Sequence, residues 1–166
     1  TGLATAYMDS TPIVVISGQV KSNLIGTDSF QETDMIGVSR PIVKHSFLVQ
    51  SAEDIPNIVK KAFHIATTGR KGPVVIDIPK DFTDPDHKFE FNYPKAVNMR
   101  SYSPPKKADT SRIKEAADLI ENAKKPVIYS GGGVNQNDAS DELTELAKLL
   151  DFPVTNTLMG LGAFPG

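Results

Sequence analysis

The chain has 166 residues, of which 39% are hydrophobic and 23% are charged, and it contains no Cys and no Trp. This composition is typical of a globular protein, and the lack of cysteine excludes disulfides, thiolate metal sites and a cysteine nucleophile. No apolar run approaches the ~20 residues that a membrane-spanning helix needs. The formal net charge is -2 and no dense Lys/Arg stripe is present, so neither a membrane nor a nucleic acid is an expected partner.

The first part of the chain has the pattern of a parallel α/β structure. Residues 12–16 and 74–78 are short apolar runs that predict buried strands, and the alternation over residues 43–49 predicts a half-buried strand. Apolar residues recur at helical spacing from Ile55 to Ala66, after a potential capping box of Ser51 and Asp54. The order of strand, helix and strand predicts parallel pairing.

Residues 92–108 separate this part from the rest of the chain. They contain three prolines and four basic side chains but no acidic one. Because proline fixes φ and lacks an N–H donor, such a segment suits neither a helix nor a sheet. We therefore predict a linker that lies over a surface.

Residues 109–166 repeat the α/β order. Strands are predicted at 127–129 and 154–156, and Ser111 and Ser140 are the predicted N-caps of two helices. Apolar residues at helical spacing form the predicted inner faces: Ile113, Ala116, Ala117 and Ile120, then Leu143, Leu146, Ala147 and Leu150. The predicted fold class is α/β, with parallel sheets flanked by helices in parts of two consecutive doubly wound domains, joined by the proline-containing linker.

Glycines follow both predicted strands of this second part. Gly131, Gly132 and Gly133 come after the first strand, and residues 157–162 contain two more glycines after the next. The ends of neighbouring parallel strands share a crevice in which ligands bind, and glycines let a phosphate or a sugar approach the backbone. The run does not match G-x-G-x-x-G, so a tight turn is an equally valid interpretation.

A second candidate site is the polar loop at residues 25–33, which contains an aromatic residue, an amide and two carboxylates without any periodicity. Such loops often carry function, although a surface loop in which Asp28 caps the next helix explains the composition as well. Lys80, after the second buried strand, either holds an anion or is solvated.

The three histidines do not indicate a metal site or a catalytic triad. His45, His64 and His87 have no metal-ligand spacing, and His64 is predicted to be exposed on its helix. We find no Ser-His-Asp arrangement to argue for.

Several runs resemble acetohydroxyacid synthase, also called acetolactate synthase, in its biosynthetic catalytic (large) subunit. The most specific are IGTDSFQE (25–32) and GRKGPVVIDIPKD (69–81), and the first separates this type from the flavin-free catabolic enzymes. Shorter matches are KHSFLV (44–49), YSGGGV (129–134) and TLMGLGAFPG (157–166). The resemblance extends nearly from end to end.

The resemblance implies a thiamine-diphosphate enzyme of three α/β domains. Residues 1–91 would be the second half of the pyrimidine-binding domain, residues 92–108 the linker, and residues 109–166 the first part of the central FAD-binding domain. The family's activating Glu and its metal-binding motif would lie outside this chain, so we expect a fragment that is inactive alone. The implied reaction decarboxylates pyruvate and condenses the product with pyruvate or 2-ketobutyrate, in branched-chain amino-acid biosynthesis.

The resemblance also implies the site residues. Gln31, Phe30 and Lys80 would lie at the active site, and no metal ligand is expected; the implied FAD contacts are Arg70, Gly131, Gly132, Gly133, Thr157 and Leu158. Lys21 departs from the proline of many members, at a channel where herbicides bind in the family.

The implied cofactors are thiamine diphosphate, Mg2+ and FAD for the intact enzyme and none for the fragment. The implied partners are 2-ketoacids, further catalytic subunits in a dimer or tetramer and a small regulatory subunit, in a bacterial cytoplasm. A fragment with uncovered sheet edges is expected to self-associate. The alternatives are a stand-alone FAD-binding module and another thiamine-diphosphate decarboxylase or oxidase.

Overall fold

The computed structural model describes residues 1–86 and 88–166. The chain divides into two compact units, Thr1–Pro105 and Lys106–Gly166, and each contains a parallel sheet with helices, as the predicted fold class requires. The division falls within the predicted linker, so residues 92–105 belong to the first unit. The assignment of the units to cofactor-binding domains stays a prediction. His87 lies outside the described residues, among which no helix is long and apolar enough to cross a bilayer.

The first unit is built on a three-stranded parallel sheet. Its helices are α1 (Gly2–Met8), α2 (Met35–Ser39) and α3 (Ile55–Thr67), and its strands are β1 (Val14–Gln19), β2 (His45–Leu48) and β3 (Val74–Pro79). The strand order is β1–β3–β2, with every pair parallel. The three predicted strands and the predicted helix are confirmed.

The central strand β3 is buried on both faces. Val74 and Ile76 are 0% exposed and pack with α3 in the main core cluster. Asp77, on the opposite face by strand alternation, lines a cavity together with Met35 and Ile36 of α2. Helices therefore cover both faces of the sheet, and β3 is the strand they enclose.

The expectations for the burial of β1 and for the start of α3 are wrong. Strand β1 is an edge strand, so Ile16 is 63% exposed instead of buried. Ser51 makes no capping hydrogen bond to the helix, because a 3-10 turn at Ala52–Asp54 and Pro56 in the first turn of α3 replace the capping box.

The end of α3 is held by a lysine from outside the helix. Lys44 Nζ donates to the carbonyl oxygens of Ile65 and Thr68 (2.7 Å for Thr68) and to the Tyr102 hydroxyl at 3.1 Å. The Tyr102 hydroxyl donates in turn to Thr68 O at 2.8 Å. A cation at this position satisfies carbonyls that have no partner within the helix and opposes the negative end of its dipole. Residues 92–105 are thereby tied to the first unit.

Tyr102 also explains the surroundings of His64. The two rings meet edge to face with centroids 5.9 Å apart, so His64 is half-buried and not exposed as predicted.

The second unit contains a two-stranded parallel sheet of β4 (Ile128–Ser130) and β5 (Val154–Asn156), with helices α4 (Thr110–Glu121), α5 (Gly132–Gln136) and α6 (Ser140–Leu150). Both predicted N-caps are wrong. Asp109 caps α4, accepting from the Ser111 backbone N–H at 2.9 Å. Ser140 is the first residue of α6, and the N-cap residue Ala139 has no capping side chain.

The apolar face of α4 is not covered within this unit. Ile113 is 56% exposed, Ala116 and Ala117 are also exposed, and Ile120 is half-buried. The predicted inner face of α4 is therefore wrong as a statement about burial, although the helical periodicity behind it is correct.

The lysine at the end of α3 leads to a prediction about stability. Lys44→Met removes three hydrogen bonds but keeps the aliphatic stem, so we expect the free energy of unfolding to fall by about 2 kcal/mol. Urea denaturation followed by circular dichroism measures the loss. Lys61→Met, on α3 itself, is the matched loss of a lysine charge, and an equal effect of both substitutions would contradict the capping role.

Candidate functional site

An open pocket of about 530 Å³ lies where β1 and β3 end. Gly18, Gln19 and Val20 line it from the end of β1, and Lys80 from the residue after β3. The carboxyl edge of a parallel sheet is where ligands bind in α/β proteins. The pocket therefore has the place in the fold that a binding site requires.

The structure brings two of the predicted active-site residues together in this pocket. Gln31 and Lys80 both line it, together with Lys21 and Leu24. Phe30 is adjacent in sequence but 90% exposed, and it is not among the lining residues. The two lysines make the pocket favourable for an anion, and the Gln31 amide offers both a donor and an acceptor.

The loop that carries Gln31 is fixed at its start by Asp81. This carboxylate accepts from the Ser22 backbone N–H at 2.9 Å and from the Ser22 hydroxyl at 2.5 Å. The hydroxyl bond is the main reason that the pKa of Asp81 is lowered. Because Asp81 follows Lys80 directly, one turn both presents the lysine and holds Ser22, the neighbour of the pocket residue Lys21.

The same loop is closed on itself by Glu32. Its carboxylate accepts from the backbone N–H of Gly26 and from that of Ser29, the latter at 3.0 Å. The Gly26 bond is the largest cause that lowers the pKa of Glu32. Gln31 itself has a positive φ of 67°, which is uncommon for a residue with a side chain.

Helix α2, which follows this loop, is not capped by Asp28. Asp34 is the N-cap, and its carboxylate accepts from the Gly37 N–H at 2.8 Å. The alternative interpretation of Asp28 as a capping residue is therefore wrong. Asp28 instead adopts a positive φ of 56° within the loop.

Sequence reasoning missed the polar residues beneath the loop. Asp77 is 1% exposed in the middle of β3, and Gln19 bridges it to the backbone of Thr33. The signal was present in the sequence, because one carboxylate interrupts the apolar run of a predicted central strand and buried carboxylates have partners.

Arg70 lies at the other end of the sheet from the pocket. It precedes β3, and its guanidinium donates to the Ser10 hydroxyl at 2.9 Å and to Met8 O at 3.5 Å. Within the first unit Arg70 therefore connects the end of α1 to the start of β3. Its predicted contact with FAD stays a prediction.

In the second unit the predicted glycine crevice forms where β4 and β5 end. The Thr157 backbone N–H donates to Ser130 O at 2.8 Å, which brings Gly131 beside Thr157. A Cβ on Gly132 would lie 3.0 Å from Met159 Cβ, and one on Gly160 would overlap Ser130 O. These two glycines are required by the packing of one loop on the other.

Other features of this crevice are not explained by internal packing. A Cβ on Gly133 would meet open space, and Leu158 is 82% exposed. Ser130 Oγ and Asn156 Oδ1 are buried and have no hydrogen-bond partner among the described residues. Buried polar atoms without partners are rare in folded proteins, so the ends of these strands suit a polar ligand.

No metal centre is found in the part of the chain that the structure describes. Residues 1–86 and 88–166 contain no group of three or more His, Asp or Glu side chains that could hold an ion.

The glycine crevice yields a prediction that separates its glycines. Gly160→Ala must push the loop away from Ser130, so we expect it to destabilise the second unit by about 1–3 kcal/mol. Gly133→Ala enters open space within α5, and we expect no loss and a gain of up to about 1 kcal/mol. Thermal unfolding compares the two variants; equal melting temperatures would show that the crevice is not closely packed.

The comparisons with known proteins cover the whole chain. Residues 113–166 match the family model "Thiamine pyrophosphate enzyme, central domain". The chain is 60% identical over 166 residues to an acetolactate synthase large subunit of Buchnera aphidicola subsp. Schizaphis graminum, covering all of this chain and 29% of that protein. It is 54% identical over 165 residues to the acetolactate synthase isozyme 3 large subunit of Escherichia coli strain K12, covering 99% of this chain and 29% of that protein.

A solved structure gives the same result for the fold. An X-ray structure from Mycobacterium smegmatis, described as a thiamin diphosphate-dependent enzyme, matches with a TM-score of 0.77 and 28% identity, over 98% of this chain and 31% of that one. The chain spans about 29% of the length of the curated relatives it matches. The chain is thus homologous from end to end to acetolactate synthase large subunits, and its residues 113–166 belong to the central domain of thiamine pyrophosphate enzymes.

Proposed function

We propose that this chain forms part of the active site of an acetolactate synthase, which condenses pyruvate, after decarboxylation, with pyruvate or 2-ketobutyrate. The observation that carries the proposal is the pocket at the carboxyl ends of β1 and β3, where Gln31 and two lysines meet. Relatives more than 50% identical over nearly the whole chain are named acetolactate synthase large subunits, which supports this reaction over other thiamine-diphosphate chemistry.

The pocket residues have properties that suit this reaction. Thiamine diphosphate, when bound, supplies the nucleophilic carbon on which a 2-ketoacid loses CO2. Lys80 and Lys21 attract the carboxylate of a 2-ketoacid into the pocket. The Gln31 amide donates to or accepts from an oxygen or ring atom and fixes its orientation, and Phe30 provides an apolar surface that excludes water once it is covered.

The glycine crevice of the second unit is the proposed FAD contact. A Cβ on Gly133 would meet open space and one on Gly131 would make only an ordinary contact with Thr157 Oγ1, and the unpartnered Ser130 Oγ beside them supports a polar group at this place. Gly132 packs closely against Met159, so it contributes to the shape of the crevice. We assign Mg2+ to parts of the enzyme other than the described residues.

The proposed enzyme consists of several catalytic subunits, with a small regulatory subunit, in a bacterial cytoplasm. The exposure of Phe30, Ile16 and Leu119 supports burial of these side chains by other protein segments in the intact enzyme. The same apolar exposure, together with the unpaired edge of β1, supports self-association of the isolated chain.

A substitution of Gln31 tests the proposed role of the pocket. In the intact enzyme we expect Gln31→Ala to lower acetolactate formation by about 10²-fold, because a positioned hydrogen bond at the reacting groups is lost. The melting temperature should stay close to that of the parent protein, since Gln31 is exposed. Gln50→Ala, at an exposed position after β2, is the matched control. Unchanged turnover in Gln31→Ala would remove Gln31 from the active site.

The second test concerns the chain by itself. The 166-residue chain is expected to form no acetolactate from pyruvate when thiamine diphosphate, Mg2+ and FAD are added, because we assign the diphosphate and its metal ion to other segments of an enzyme whose relatives this chain matches over about 29% of their length. Colorimetric detection of acetolactate measures this. Cofactor-dependent product from the chain alone would refute the proposal that other segments complete the active site.

A further inference from the structure

A carboxylate lies in an unusual place in the first unit. Asp77 occupies the middle of the central strand β3 and is 1% exposed, next to Ile76 at 0%. Buried carboxylates normally face a cation or a metal ion. The donors that meet Asp77 are instead two neutral side chains of β1, the Ser17 hydroxyl and the Gln19 amide.

The strand register explains why these two donors reach the same carboxylate. Ser17 lies directly opposite Asp77 in the parallel pair of β1 and β3, and Gln19, two residues later, is on the same face. Ser17 Oγ donates to Asp77 Oδ1 at 2.7 Å, and Gln19 Nε2 donates to Oδ2 at 3.0 Å. Each carboxylate oxygen therefore has its own donor.

The amide of Gln19 is fixed by three hydrogen bonds. Besides the bond to Asp77, Nε2 donates to Thr33 O at 2.7 Å, and Oε1 accepts from the Val20 N–H at 2.9 Å. Turning the amide over would place Oε1 against a carboxylate and against a carbonyl oxygen, both of which only accept. Asp77 thus determines which way the Gln19 amide points.

Thr33 is the point where this network reaches the pocket loop. Gln31 lies two residues before it, and the loop between Gly26 and Glu32 is closed on itself by the Glu32 carboxylate. A cavity of about 200 Å³, lined by both Asp77 and Thr33, lies beneath the loop. Because the loop rests over a cavity and not on close-packed apolar side chains, its position depends on polar links.

We propose that Asp77 is a positioning residue for the pocket: through Gln19 it holds the loop that carries Phe30 and Gln31 over the end of the sheet. The placement of the loop follows from the hydrogen bonds above, whereas its consequence for turnover rests on the proposed function. Asp77 acts through Gln19 and does not itself line the 530 Å³ pocket.

The lack of tryptophan in the chain permits a direct readout of the loop. Phe30 is 90% exposed, so Phe30→Trp places a single fluorophore on the loop without disturbing the core. In this background, on the 166-residue chain, we expect Gln19→Leu and Asp77→Ala to lower the tryptophan anisotropy and to raise quenching by acrylamide. Circular dichroism confirms that each variant keeps its secondary structure.

Two matched variants separate positioning from general destabilisation. Ser17→Ala removes the other hydrogen bond to the same carboxylate. Because Ser17 connects Asp77 to β1 and not to the loop, the tryptophan anisotropy should stay at the parent value. Asp77→Asn keeps an acceptor for Gln19 and a donor for Ser17, so it should restore the parent value as well. Gln19→Leu keeps the test decisive if Asp77→Ala fails to fold. Equal loosening by Ser17→Ala and Gln19→Leu, or an unchanged anisotropy in Gln19→Leu, would overturn the proposal.

The functional consequence is measured separately in the intact enzyme. Asp77→Ala should lower acetolactate turnover by up to about 10²-fold, as expected for a displaced catalytic group, and Asp77→Asn should restore it. If the unsubstituted enzyme forms no acetolactate, the proposed function fails while the anisotropy result still decides the positioning. If the enzyme is active and Asp77→Ala turns over like the parent, the positioning proposal fails alone.

Discussion

Strand β3 is the constraint on which the first unit depends. Both neighbouring strands pair with it and with no other described strand, and the pairing is parallel on each side. Its register sets the place of every side chain on β1 and β2, because a shift of one residue would exchange the two faces. Its carboxyl end delivers Lys80 and Asp81 to the pocket, so the same strand sets both the core and the site.

The two faces of this strand contribute in different ways. Val74 and Ile76 join the apolar cluster with α3, where burial stabilises the fold in proportion to the area removed from water. On the opposite face, Asp77 accepts two directional hydrogen bonds where an apolar residue would pack. An apolar residue at 77 would fill space but could not orient the Gln19 amide, so the carboxylate is better explained by the loop above it than by stability.

The sequence predicted those features that repeat along the chain. Helix α3 followed from helical periodicity over a dozen residues, and the three strands followed from two continuous apolar runs and one alternating run of five to seven residues. The N-caps of α4 and α6 were wrong, because helix starts are defined by backbone geometry: α4 begins two residues earlier than a Ser111 cap requires, and α6 includes Ser140 as its first residue. The burial of Ile16 was wrong because edge and central strands have the same apolar pattern, and only long-range pairing distinguishes them.

The candidate site, like the fold, was predicted from the sequence only in part. Gln31 and Lys80 come together because both follow strand ends, and the sequence indicates where the strands end. The role of Gln19 depends on the register between β1 and β3, which the sequence does not indicate. Likewise, the glycines after β4 were equally compatible with a ligand and with a turn, and only the distances separate Gly132, packed against Met159, from Gly133, which faces open space.

A loop at the end of a sheet cannot be positioned in the way that a core residue is. The loop from residue 25 to 33 has few apolar side chains, and Phe30 projects away from the core. Three carboxylates hold the loop and the segment that leads into it: Asp81 binds Ser22 before the loop, Asp77 acts through Gln19, and Glu32 closes the loop on itself. Hydrogen bonds to carboxylates are short, directional and stronger than those between neutral groups. Three carboxylates that do not need to contact a substrate can therefore determine the position of Gln31. Through these hydrogen bonds the pocket that Gln31 lines keeps a defined shape.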